Sequence, residues 1–373
     1  LGVYMMLGRK RELAGIWLGL CSLFFYGYWN FAYVPLLLLS ICANYAFGFM
    51  IGKGKRMLIP GLLFNLALLG YYKYAHFFLS NIDRLAGFDW QIGRIVLPLG
   101  ISFFTFTQIA YLMDVKRGEA REYSFSHYLL FVTYFPHLIA GPILHHKEMM
   151  PQFEKGKGPS FEDFSVGMTI FFVGLFKKVL LADGISVYVA PVFGAHASGI
   201  EPTFVDAWFG ALAYTFQLYF DFSAYSDMAV GISRLFGITL PVNFYSPYQA
   251  VNIVEFWRRW HMTLSRFLRD YLYIPLGGNR KGKARRYLNL MVTMLLGGLW
   301  HGAGWTFVIW GGLHGFYLVL NHGWHALKER MSLPSFGFFG KVFGVALTFL
   351  AVVAGWVFFR AANLASAFSV LRG

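Results

Sequence analysis

Long apolar runs, separated by short polar or basic stretches, are the main pattern along this chain. A helix that crosses a bilayer needs about 20 mostly apolar residues, and these runs lack the period-two alternation of a transmembrane β-barrel. The pattern predicts an all-α fold, a polytopic membrane helix bundle. The predicted membrane segments are residues 13–29, 31–51, 57–79, 94–113, 164–193, 204–222, 288–301, 305–320 and 342–359.

Three polar features interrupt this pattern. Residues 128–144 contain prolines and glycines, so we expect a broken or re-entrant element there, covered by protein or lining a water-filled cavity. Residues 251–274 carry seven charged or histidine side chains and cannot face lipid, so we expect them at the interface or dipping in from it. Lys177 and Lys178 lie inside an apolar run, where they must snorkel or face a cavity.

Composition and charge agree with a membrane protein of one domain, residues 1–373. Of the 373 residues, 57% are hydrophobic and 13% charged, against about 25% charged in soluble domains. The net charge of +14 comes from basic clusters such as residues 9–11, 53–56 and 280–286, which are typical of cytoplasmic loops facing anionic lipid and do not indicate nucleic-acid binding. Cys21 and Cys42 lie in apolar runs and form no disulfide framework.

His301 is the first candidate for chemistry, because a titratable side chain at membrane depth is costly. It lies in the segment GGLWHGAGW, residues 297–305. Gly298 and Gly302 have the spacing that allows two helices to approach closely, and glycine also gives a substrate access to the chain. A packing histidine bonded to a neighbouring helix is the equally weighted alternative.

A second cluster is WRRWH, residues 257–261. On one helix Glu255 and Arg259 would pair, and His261 would share a face with Trp257 and Ser265. Such a charged helix with an aromatic stripe suits the wall of a substrate channel. An interfacial amphipathic helix explains the same pattern equally well.

Two carboxylates, Asp221 and Asp227, lie six residues apart and so face different ways on a helix. One of them would orient a histidine, or both would cap helix ends, which we favour for Asp227. Hydrolase, phosphate-loop, dinucleotide and zinc-helix motifs do not occur in the sequence. We interpret the remaining histidines as interface residues and predict no metal site; they are His145, His146, His314, His322 and His325.

Several long segments resemble the membrane-bound O-acyltransferases (MBOAT), most of all the alginate O-acetyltransferase branch. The signature region, about residues 221–315, contains YFDFSAYSDMAVGI, NFYSPYQAVNIVEFWRRWHMTLSRFLRDYLYIPLGGNRKG and NLMVTMLLGGLWHGAGWTFVIWGGLHG. Residues 97–118 and 135–143 are also similar to that branch, so the likeness covers most of the chain.

The resemblance implies a ring of tilted helices around a central tunnel, with His301 as the catalytic histidine and His261 as its companion. It also implies further residues that line or support the tunnel. These are Asp221, Asn252, Trp257, Arg258, Arg269, Asp270, Tyr273, Asn289 and Trp300.

The function implied by the resemblance is an O-acyltransferase (an acetyltransferase) of the bacterial inner membrane. It would move an acetyl group from a cytoplasmic thioester, acetyl-CoA as substrate with no bound cofactor, toward hydroxyls of an extracytoplasmic polysaccharide such as alginate. A periplasmic acetyltransferase is the expected partner. Compared with this branch, the chain starts late and stops early at Gly373, so we expect it to be trimmed at both ends.

Two alternatives stay open. The first is a D-alanyl transferase for teichoic acid, whose donor is an acyl carrier protein. The second is a membrane transporter, which also has broken helices and charge at mid-membrane, although the sequence contains no internal repeat.

Overall fold

The regular elements of the computed structural model are all helical in the described part of the chain. Backbone is described for residues 1–7, 10–87, 93, 95–120, 124–155, 158–332 and 337–373. Two basic residues of the sequence predictions, Arg9 and Arg94, lie outside the described residues, as does the side chain of Arg11. The all-α prediction is confirmed.

The chain divides into two compact units. The first unit comprises Leu1–Gly174 and Tyr225–Pro241, and the second comprises Leu175–Ala224 and Val242–Gly373. The prediction of one membrane domain stays a prediction.

The first unit contains most of the amino-terminal apolar runs as helices. Their bounds are Gly2–Met6, Arg11–Trp29, Phe31–Tyr33, Val34–Gly52, Leu58–Leu69, Gly70–Tyr74, Ala75–Ala86, Ile101–Arg117, Phe125–Thr133, His146–Lys155 and the start of Phe161–Phe176. After Thr133 the chain runs through turns without regular helix as far as His145, as the prolines and glycines of that stretch predict.

The second unit contains the helices of the signature region. Their bounds are Lys177–Ala182, Asp183–Ser186, Val189–Gly194, Ala195–Ser198, Pro247–Gln249, Ile253–Arg259, Met262–Leu268, Arg269–Tyr273, Gly282–His301, Trp305–Arg330, Gly337–Arg360 and Leu364–Arg372. The helix Phe204–Leu235 begins in this unit and ends in the first.

Among the described residues, three helical segments are long and apolar enough to cross a membrane: Phe31–Gly52, Phe161–Ser186 and Gly337–Arg360. Other predicted crossings are helical but more polar. Phe204–Leu235, for instance, contains Asp206, Asp221, Asp227 and Arg234.

Two local predictions are wrong. Asp227 lies well inside the helix Phe204–Leu235 and does not cap an end, because that helix continues 13 residues past the predicted limit at 222. Between the predicted segments 57–79 and 94–113 the sequence predicts an external loop, residues 80–93, but this stretch begins as the end of the helix Ala75–Ala86. Residues 88–92 lie outside the described part.

The lysines at 177 and 178 occupy a π-helical turn, Lys177–Ala182. Lys178 Nζ lies 2.7 Å from Asp183 Oδ1 and 2.7 Å from Asp221 Oδ1, and Lys177 donates to Ser223 Oγ at 2.9 Å. Side-chain partners therefore compensate these charges locally, in a segment apolar enough to span a membrane.

Candidate active site in the second unit

His301 is the last residue of the helix Gly282–His301, here called the His301 helix. An extended Gly302 follows, and the next helix, Trp305–Arg330, here called the Trp310 helix, begins three residues later. The imidazole remains partly accessible. A histidine at the end of a helix, followed by a glycine-containing turn, is well placed to meet a bound molecule.

Glycines allow these two helices to touch through their backbones. A Cβ built on Gly298 would lie 3.0 Å from Gly311 Cα and even closer to the Phe307 carbonyl oxygen. A larger residue at position 298 would therefore force the helices apart and move His301. Gly302 lies instead under the Phe307 ring, so of the two predicted packing glycines Gly298 makes the helix contact.

Aromatic rings surround the His301 imidazole. Its centroid lies 4.8 Å from that of Trp300, 5.0 Å from that of Trp310 and 5.1 Å from that of Phe359, all at steep interplanar angles. These rings restrict the orientation of the imidazole by packing against it. Aromatic rings thus form at least part of the surroundings of His301.

His261 lies at a break that the sequence did not indicate. The stretch forms two short helices, Ile253–Arg259 and Met262–Leu268, and His261 between them has φ of 41°, in the left-handed region. This conformation costs roughly 1–2 kcal/mol for a residue with a Cβ, and such strain concentrates at functional sites. The predicted single helix with His261 on the face of Trp257 and Ser265 is therefore wrong.

Both candidate histidines contact the same indole. The Trp300 centroid lies 6.4 Å from that of His261 and 4.8 Å from that of His301. His261 is 1% exposed and packs edge-on against Phe222, with ring centroids 4.7 Å apart. Its Nδ1 lies 3.1 Å from Asn243 Oδ1. The fold thus brings together the two histidines that the sequence singles out.

A triad of buried rings adjoins His301 on the side of Trp310, and we call it the Trp–His cluster: Trp257, Trp310 and His314. The three centroids are 4.8 to 5.9 Å apart. The indole nitrogens of both tryptophans and both ring nitrogens of His314 are buried and have no hydrogen-bond partner among the described residues. Buried polar groups without partners are rare and costly, so this cluster lowers the local stability.

Three of the predicted interface histidines are buried. His314 is 0% exposed, and His145 and His146 in the first unit are 3% and 1% exposed. The sequence did not indicate this burial, because a histidine in an apolar run gives no sign of how closely other side chains pack around it; their position at the membrane interface stays a prediction. Among the described residues no group of three or more potential metal ligands forms.

The other predicted lining residues have contacts that stabilise the local chain. Asn252 Oδ1 accepts from the Glu255 amide and so caps a helix. Asn289 donates to the Gly278 carbonyl at 3.0 Å, which pins the loop after Tyr273. Arg269 makes a two-bond ion pair with its neighbour Asp270.

Acid–base pairing on the helix Ile253–Arg259 follows the prediction. Glu255 Oε1 lies 2.6 Å from Arg259 Nη2, while Arg258 is exposed. Partial burial acts to raise the pKa of the Glu255 carboxyl, but hydrogen bonds from the Val251 amide and Arg259 outweigh it and hold that pKa below its ordinary value. Glu255 therefore stays ionised, and it supports structure on a helix that also carries Trp257.

Sequence reasoning missed Asn243, Phe222, Trp310 and Phe359 as parts of this site. Asn243 comes close to His261 because residues 243–245 run beside the break: the Tyr245 amide donates to the Arg259 carbonyl and the Met262 amide to the Asn243 carbonyl, both at 2.9 Å. Neither periodicity nor charge pattern predicts that pairing.

Comparisons with known proteins all point to one family. The model of the membrane-bound O-acyltransferase family matches residues 72–362. A peptidoglycan O-acetyltransferase of Helicobacter pylori is 46% identical, over 96% of this chain and 73% of its own length. A probable alginate O-acetylase AlgI of Pseudomonas aeruginosa is 41% identical, over 98% and 70%. A teichoic acid D-alanyltransferase of Streptococcus thermophilus is 28% identical, over 70% and 68%.

Proposed function

The chain belongs to the membrane-bound O-acyltransferase family, and we propose that it transfers acetyl groups from cytoplasmic acetyl-CoA to hydroxyls of an extracytoplasmic polysaccharide. Membership makes it a membrane-bound acyltransferase, which sets the transporter alternative aside. The finer points, the donor, the catalytic residues, the bacterial inner membrane and the polymer, are our proposal.

The observation that carries the proposal is the position of His301. It is a partly accessible imidazole at a helix end, in an otherwise aromatic and apolar setting. Such a site excludes water from a thioester, which would otherwise hydrolyse. A positioned imidazole contributes about 10²- to 10⁴-fold as general base.

The proposed reaction uses His301 as the base. The acceptor oxygen attacks the thioester carbonyl carbon while its proton passes to His301. The carbon–sulfur bond then breaks, and the proton passes from His301 to the departing thiolate, giving an acetyl ester and free CoA. The Trp310 ring contacts His301, and its buried indole N–H suits the negative charge that develops on the carbonyl oxygen.

The acceptor follows from the relatives. Proteins named for peptidoglycan and for alginate O-acetylation are 46% and 41% identical to this chain, so we propose a glycan hydroxyl as acceptor. A periplasmic acetyltransferase partner, as the sequence resemblance implies, would receive or direct the acetyl group. The D-alanyl alternative is less favoured because that relative is 28% identical and matches less of the chain.

Labelled acetyl-CoA tests the proposal directly. Membranes with the wild-type protein should acetylate peptidoglycan glycan strands or polymannuronate, and His301→Ala should lose at least about 10²-fold in rate at equal protein level. His325→Ala is the matched control, since His325 is exposed on the Trp310 helix. A fully active His301→Ala protein would remove His301 from the scheme, and transfer only from a D-alanyl carrier protein would overturn the donor.

A further inference from the structure

Asn243 lies at the centre of the break between the two short helices. Its Oδ1 lies 3.2 Å from the Thr263 amide nitrogen, 2.9 Å from Thr263 Oγ1 and 3.1 Å from His261 Nδ1. Asn243, His261 and Thr263 are all at most 2% exposed. The contacts are thus shielded from solvent and depend on one side-chain atom.

The chemistry of these contacts fixes which atom is the oxygen. An amide oxygen and nitrogen have nearly the same shape, so their assignment rests on hydrogen-bond partners. The Thr263 backbone N–H can only donate, and the Asn243 atom facing it must therefore accept. That atom is the carbonyl oxygen, which has no proton to give to His261.

The tautomer of His261 follows. Since Asn243 Oδ1 accepts, His261 Nδ1 must carry the proton, and a neutral imidazole then has a bare Nε2 with an available lone pair. Nε2 is buried, and within the part of the chain that the structure describes it has no hydrogen-bond partner. Neutral His261 therefore has no N–H to offer an oxyanion, and its free position accepts.

The surroundings hold the ring in this orientation. Phe222 meets the imidazole edge-on at 4.7 Å, and Phe244 stacks on it at 6.3 Å with an angle of 27°. The left-handed backbone of His261 directs the side chain here at the cost described above. A buried acceptor without a hydrogen bond lowers stability. A donor from a bound molecule would remove that cost, and a hydroxyl is such a donor.

We propose that Asn243 is a positioning residue that holds His261 with a bare Nε2, and that this Nε2 accepts a hydrogen bond from a hydroxyl of the acceptor. The inference rests on the proposed function. A sugar carries several hydroxyls, so one attacks and gives its proton to His301 while a neighbour donates to His261. No covalent bond changes at His261.

The tautomer can be measured apart from activity. In nanodiscs, ¹⁵N-histidine NMR of the wild-type protein, with His261→Gln to assign the signal, should show protonated Nδ1 and a far-shifted bare Nε2. In Asn243→Leu that signal pattern should change, and in Asn243→Asp, which keeps the accepting oxygen, it should persist. A wild-type signal with protonated Nε2 would overturn the inference even if every Asn243 variant failed to fold, and it would leave the proposed function untouched.

Kinetics test the consequence. Asn243→Leu should raise the KM for peptidoglycan glycan strands or polymannuronate about tenfold, since 1.4 kcal/mol corresponds to a factor of ten, with an unchanged KM for acetyl-CoA. Asn243→Asp should restore the acceptor KM. Asn363→Ala, which removes a helix-capping asparagine elsewhere in the second unit, is the structural control. An unchanged acceptor KM in Asn243→Leu, or an equal rise in Asn363→Ala, would refute the positioning role.

Discussion

Two clusters of buried polar side chains, one in each unit, behave differently. In the first unit Asn44 and Asn65 are 0% exposed and bond each other through both amides, at 2.6 and 3.2 Å. In the second unit the nitrogens of the Trp–His cluster are equally buried and have no partner among the described residues. Paired amides stabilise the contact between helices, whereas buried polar groups without a partner lower stability.

The comparison explains where strain is tolerated. Ser40, Gln108 and Tyr128 extend the paired network of the first unit, with Gln108 donating to Ser40 Oγ at 2.9 Å. A fully satisfied network rigidifies its helices. The nitrogens of the Trp–His cluster and the left-handed His261 belong to the second unit, which also contains His301. The first unit has unpartnered buried groups as well, among them the Tyr26 and Thr105 hydroxyls within the described residues, so the contrast concerns these two clusters and not the units as wholes.

The largest expected effect comes from Trp310→Phe. It removes an unpartnered N–H beside His301 while keeping an aromatic ring, so acetyl transfer should fall about 10²-fold, as for loss of an oxyanion donor. Trp356→Phe is the matched control, because Trp356 is equally buried and stacks on Trp310 at 5.7 Å. Initial rates and melting temperatures in detergent measure both variants. Because Trp356→Phe also removes a buried indole N–H, equal activity losses in the two would mean that the Trp310 N–H has no special role through its position beside His301.

Breaking the asparagine pair should have a smaller effect, and it should lower stability and not the reaction rate. Asn44→Leu leaves Asn65 buried without its partner, which costs about 1–3 kcal/mol, and should lower the melting temperature without changing the rate per folded molecule. Asn44→Leu with Asn65→Leu removes both amides and should recover part of that loss. If the double variant loses more stability than the two single variants lose together, the pair does more than satisfy the hydrogen bonds of its two amides.

How much of this was predictable from sequence differs between the fold and the site. The apolar runs predicted helices, and the glycines around His301 predicted the close helix contact, since backbone approach needs residues without side chains. His261 and His301 were both chosen from sequence, and the structure brings both against Trp300. Their catalytic roles stay predictions.

The remainder depends on contacts that sequence patterns do not encode. Helical spacing placed His261 on the face of Trp257, but the backbone turns left-handed at 261 and directs the ring toward Asn243 instead. Asn44 and Asn65 are 21 residues apart on separate helices, so no periodicity connects them. The depth of His314 likewise results from the packing of Trp257 and Trp310 around it.

The smallest expected effect comes from removing exposed basic side chains, and each unit contains a pair of them that can be compared. Lys283 and Arg285 are exposed in the second unit, and Lys55 and Arg56 are exposed in the first. If acetyl-CoA phosphates approach residues 280–286, Lys283→Gln with Arg285→Gln should raise the acetyl-CoA KM about two- to fivefold, because solvated charges attract weakly and over short range.

The matched variant, Lys55→Gln with Arg56→Gln, removes the same charge and should leave the acetyl-CoA KM unchanged. Raising the salt concentration should shrink the difference between the two variants, since screening acts on exposed charge. Equal KM increases in both would indicate that net charge, and not the position of residues 280–286, attracts the donor. No increase in either would place the donor's phosphates elsewhere, while the assignment of His301, which rests on its own variant, would stand.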